Sequence, residues 1–110
     1  MLTRLIAAAV LLLFAAPAAA TEPVKLPCER ACMEDLAGKL LTALASHDAK
    51  SLPLAKNARY TENGQEMHFD NGLWQTASKV GAYRHVFADP ASGQFGVFAT
   101  MDENGHGLVL

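Results

Sequence analysis

Two of the three Asn-Gly dipeptides, Asn63-Gly64 and Asn104-Gly105, constrain this chain more than any other feature. Asn-Gly is the preferred two-residue loop of a tight β-hairpin, because both loop positions need positive φ. A loop of fixed length also fixes which residues face each other. Around the first turn, Glu62 falls opposite Gln65, Tyr60 opposite Met67 and Ala58 opposite Phe69. These residues share one face, apolar at its base and polar toward the tip. Arg59 with His68, and Thr61 with Glu66, make the other face polar. The second turn sets Glu103 opposite His106 and Met101 opposite Leu108. Such a chain contains antiparallel sheet, and its other elements must pack on that sheet.

A helix precedes the hairpins. Met33, Leu36, Ala37, Leu40, Leu41 and Leu44 recur at helical spacing and form one apolar stripe, ending near His47-Asp48. Ser51-Leu52-Pro53-Leu54-Ala55 reads as a short helical turn or loop, since a residue before Pro disfavours helix. After the first hairpin, Leu73 to Ser78 suits a short helix capped by Asp70 or Asn71. Val80 to Ala88 alternates, with Tyr83, His85 and Phe87 on one face and Arg84, Val86 and Ala88 on the other. Gln94 to Met101 is apolar on both faces, which predicts a central, covered strand. Leu108-Val109-Leu110 is apolar to the last residue, so we expect the domain to continue by one or two strands.

The N-terminus carries a different signal. Residues 5 to 20 contain no charge and supply much of the 51% hydrophobic content. Met1 to Arg4 is a positive lead, and Leu5 to Phe14 is too short to cross a bilayer core of about 30 Å. Pro17 and Ala18-Ala19-Ala20 complete a signal peptide over 1–20, with an uncleaved anchor as the alternative. A polar lead-in over 21–27 and one domain over 28–110 follow. Loss of Arg4 changes a net charge of −2, from 9 basic and 11 acidic residues, to −3. That balance argues against nucleic-acid binding. With no second apolar run, the cleaved chain has no membrane segment, so we expect export to the periplasm or beyond.

Cys28 and Cys32 face the same way on a helix, about 6 Å apart, within disulfide reach. An oxidising compartment favours the bond, and free thiols are the alternative. No other Cys completes a thiolate metal site, and the His and carboxylate residues lack metal-motif spacing. Neither a metal nor a cofactor is expected.

The order is helix, short helix, hairpin, short helix, strand meander. This α+β order resembles the nuclear-transport-factor-2-like, or SnoaL-like, superfamily. The segments Arg59-Tyr60-Thr61-Glu62-Asn63-Gly64, Gly72-Leu73-Trp74 and Tyr83-Arg84-His85-Val86-Phe87-Ala88-Asp89-Pro90 resemble motifs of a domain-of-unknown-function family within it. The resemblance implies a cone: a curved antiparallel sheet on one long and two short helices, with an apolar cavity and the last strand missing. It does not imply one activity, because that superfamily holds isomerases, cyclases, dehydratases and non-catalytic binders.

A cavity of this kind points to Tyr60, Trp74 and Tyr83 as ligand contacts for a small hydrophobic molecule. For acid–base chemistry, His85 is the first candidate and Glu62 the second. Each has a plainer reading. Aromatics at strand and helix spacing usually fill the core. Glu62 adjoins a turn and suits solvent, and a core His85 would bond to backbone. Two functions stay open: an acid–base enzyme of isomerase, dehydratase or cyclase type, and a binding module that dimerises through its sheet. A cavity filled by Trp74, Phe95 and Phe98 would favour the second.

Overall fold

The computed structural model describes residues 27–110; the expected signal peptide and nearly all of the lead-in lie outside the described residues. The fold is α+β. Helix α1 spans Arg30–Ser46, and a 3-10 turn follows at Ala49–Ser51. Strands β1 (Tyr60–Glu62) and β2 (Gln65–Met67) precede helix α2 (Leu73–Thr76). Strands β3 (Ala77–Asp89), β4 (Gln94–Glu103) and β5 (His106–Val109) complete the described chain. All strand pairs are antiparallel: β1 with β2 in one sheet, and β3-β4-β5 in another.

Both hairpins take the register that their turns dictate. Tyr60 pairs with Met67 and Glu62 with Gln65, while Met101 pairs with Leu108 and Glu103 with His106. The loop residues Asn63, Gly64, Asn104 and Gly105 all have positive φ, as this turn requires.

Helix α1 lies on β3 and β4. Its Met33, Ala37, Leu41, Ala43 and Leu44 are buried. Leu41 and Leu44 meet Trp74, Ala77, Ala99 and Met101 in one core. Leu36 and Leu40 from the same stripe stay half-buried. A disulfide joins Cys28 to Cys32 and ties the first turn of α1 to the residue before its N-cap. The helix closes on His47, whose left-handed backbone (φ 56°) returns its N–H to Leu44. Its Nε2–H donates to the Ala77 carbonyl at 2.5 Å, which fastens the helix end to the start of β3.

The structure departs from the sequence reading in four places. The first short helix is a three-residue 3-10 turn that ends at Ser51, because Pro53 holds Leu52 extended (ψ 146°). Helix α2 has only 4 residues, and the strand begins at Ala77 rather than Val80. Pairing of Ala77 with Glu103 and Lys79 with Asp102 outcompetes further helix. Neither Asp70 nor Asn71 caps α2; Gly72 does, at φ 58°, with no side-chain cap. Strand β4 is central but covered on one face only. Ala99 and Met101 are buried, while Phe98 is exposed on the other side.

The pairing of β3 with β4 shifts between Val80 and Arg84, so four steps on β3 match two on β4. This bulge bends the edge strand. It keeps Val80, Arg84 and Val86 on the helix side, opposite Met101, Ala99 and Val97. Tyr83, His85 and Phe87 therefore turn outward.

Candidate functional site

The first hairpin, the segment after it and α2 build one cluster. Tyr60 sits on β1, Phe69 follows β2, and Trp74 is buried in α2. The Tyr60 and Phe69 rings lie 5.6 Å apart, and Trp74 meets Tyr60 edge-on at 6.2 Å and Phe69 at 5.6 Å. Edge-to-face packing of this kind fixes ring orientation as well as burying area. One side of the cluster is open. A cleft of about 400 Å³ runs along it, walled by Leu40, Leu44, Tyr60, Phe69, Leu73 and Trp74. Its lining is overwhelmingly apolar, with Glu62 and Arg59 at the rim.

Glu62 is half-buried here, held by three neighbours. The Tyr60 hydroxyl and the Leu73 N–H (2.6 Å) both donate to its Oε1. The carboxylate rests against Gly72, where a Cβ would stand only 2.5 Å from Oε2. Gly72 is thus required twice, for its positive φ and for the space that Glu62 occupies. Oε2 takes no hydrogen bond among the described residues. No buried side-chain oxygen there lacks a partner, so Oε2 is accessible. It can accept a hydrogen bond from a ligand, or a proton. Arg59 does not neutralise it, because its guanidinium is engaged by Glu66 at 2.7 Å.

Glu62 also borders a cleft of about 540 Å³ and mixed polarity, which Gly72, Thr76 and Glu103 line together with Leu73, Leu108 and Val109. There the Thr76 hydroxyl donates to Glu103 at 2.5 Å. A smaller apolar cleft, about 280 Å³, lies beyond Leu40 and Leu54 and reaches Leu36, Pro53 and Phe95. Between α1 and β3, Arg84 lies over Gly38 beside Glu34, Lys39 and Thr42 in an open polar groove.

The structure brings Tyr60, Glu62 and Trp74 together and leaves Tyr83 and His85 apart from them. His85 faces outward, opposite Phe98 in the ladder and 4.5 Å from the Phe87 ring. Phe87 and Phe98 meet at 5.7 Å, and with Tyr83 they form an exposed aromatic face on the side of the sheet away from α1. Phe98 therefore does not fill the cleft. Gly72 and Leu54 were missed from sequence. The sequence offers Asp70 or Asn71 there as a helix cap, but only the fold shows Glu62 seated on Gly72.

Comparison with family models, curated proteins and solved structures gives no match. Among the described residues no three His, Cys, Asp or Glu side chains cluster as metal ligands do. No described helix is long and apolar enough to cross a membrane.

Proposed function

We propose that this protein is an exported domain that binds a small hydrophobic molecule in the cleft beside Tyr60 and Trp74. The observation that carries the reading is the cleft itself: an apolar wall with one oriented acceptor, Glu62, at its rim. The resemblance of its motifs to the nuclear-transport-factor-2-like superfamily, and the cone-shaped pocket that it implies, agree with this reading. The uncharged N-terminal run and the Cys28–Cys32 disulfide support export. The test is a screen of small apolar compounds, read by the emission of Trp74, the only tryptophan. Ligands are expected to shift that emission in wild type and in His85→Ala, and to lose binding when Ala58→Phe fills the cleft. Hits that bind the filled variant unchanged would place the site elsewhere.

The hydrogen bond from Tyr60 to Glu62 favours a second reading, an acid–base enzyme. In it Glu62 takes a proton from a substrate in the cleft, and Tyr60 holds the carboxylate in place. Turnover that survives Glu62→Gln would remove this reading and leave the binding one.

We also propose that the outer sheet face pairs with a second copy. Tyr83, Phe87 and Phe98 are 55%, 51% and 56% exposed, and Val109 is 71% exposed. The three half-exposed rings leave about 300 Å² of apolar surface, within the range of functional patches. Tyr83, Phe87, Phe98 and Val109 bear no charge, and His85, opposite Phe98, is the titratable side chain among them. A stable interface needs about 800 Å² per partner, so the rings form its centre and the flanking strand residues its rim.

A further inference from the structure

Leu40 and Leu54 line both apolar clefts, so the two hollows lie against the same pair of side chains. Together they run from Phe95 at one end to Glu62 at the other. The small cleft is walled by Leu36, Leu40, Leu52, Pro53, Leu54 and Phe95, all apolar. At the far end stands a carboxylate with Oε2 unengaged, and among the described residues that line this cleft the one cation, Arg59, is paired with Glu66. That asymmetry selects a ligand. A head that is anionic would meet Glu62 uncompensated, whereas one that donates a hydrogen bond or carries positive charge is matched by it.

We propose that the occupant is an unbranched amphiphile, an aliphatic alcohol or amine, whose chain crosses Leu40 and Leu54 into the second cleft. Its hydroxyl or ammonium donates to the Glu62 carboxylate, which borders the larger cleft. The inference rests on the larger cleft being a ligand site and adds the shape and charge of what fills it. Phe95 is the residue on which it turns. It lines the small cleft and not the larger one, so covering it is a gain available only to a ligand long enough to pass Leu40 and Leu54.

The test uses the mature chain and Trp74 emission, with linear alcohols from butanol to decanol, then decylamine and decanoate, all below their micelle concentrations. Affinity is expected to rise about threefold to fourfold per added methylene through the series. Decylamine is expected to bind at least tenfold tighter than decanoate, and Glu62→Gln to narrow that gap. Phe95→Ser, a change in the small cleft alone, is expected to flatten the dependence on length while leaving butanol unaffected. A length dependence that stops at the short alcohols would overturn the two-cleft occupant and leave the larger cleft as the site. Equal binding of decanoate and decylamine would overturn the role of Glu62. No response to any of these compounds would overturn both the inference and the reading under it.

Discussion

Replacing Gly72 with alanine perturbs the site at its foundation. The residue sits at φ 58°, ψ −132°, where an L side chain costs about 1–3 kcal/mol. The new Cβ would stand 2.5 Å from Glu62 Oε2 and 2.7 Å from Oε1, so the carboxylate must leave. Its departure breaks the bonds from the Tyr60 hydroxyl and the Leu73 N–H. Water replaces part of each bond at this half-buried rim, which leaves about 1 kcal/mol lost per bond. The sum is about 3–5 kcal/mol. Gly93 provides the control: its φ is 71°, but a Cβ there meets nothing within 4 Å. Gly93→Ala should cost the backbone term alone, about 1–2 kcal/mol. Urea denaturation of both variants isolates the Glu62 contribution as a difference of about 2 kcal/mol, or roughly 10 °C in melting temperature. If the two variants lose the same stability to within about 0.5 kcal/mol, Glu62 is not seated on Gly72 and the site geometry is wrong.

Other perturbations test separate parts of the structure. Reducing Cys28–Cys32, or changing both to Ser, should cost about 2 kcal/mol from the short closed loop and raise amide exchange in the first turn of α1, leaving the sheet protected. Phe98→Asp should convert a sedimenting dimer to monomer while the isolated fold stays intact, since Phe98 is exposed in the single chain. The Ser92 side chain and backbone, then the Ala91 N–H, hold the Asp89 carboxyl below its ordinary value of 3.8. The folded value is the lower one, so the stabilisation is complete above that ordinary value and is lost as pH falls through the folded value. Ser92→Ala should reduce that acid sensitivity, as read by melting temperature between pH 5 and pH 2.5.

The parts of this fold that local rules govern were legible in the sequence. Asn63-Gly64 and Asn104-Gly105 determine ladder register through loop length alone, and both ladders follow it. The stripe from Met33 to Leu44 forms α1 as its period requires. The side of the sheet that α1 covers was not legible. Tyr83, His85 and Phe87 alternate with Arg84, Val86 and Ala88, and neither set is clearly the polar one. Alternation shows which residues share a face, but only packing decides which face is covered. Helix α1 covers Val86, although Arg84 comes with it, and His85 is left outside. The site divides in the same way. Tyr60 and Glu62 came from hairpin register, which is local. The support of Glu62 by Gly72 and Leu73 depends on a contact ten residues and more along the chain.

The central claim is that Tyr60, Glu62 and Trp74 bound a ligand cleft on the helix side of the fold. The most direct measurement is the map of amide and side-chain chemical-shift changes as decylamine is titrated into the isotope-labelled protein. The changes are expected to gather at Leu40, Leu54, Tyr60, Glu62, Leu73 and the Trp74 indole, with His85 and Phe98 unmoved. Changes centred on Tyr83, His85 and Phe98 would contradict it and move the site to the outer face of the sheet.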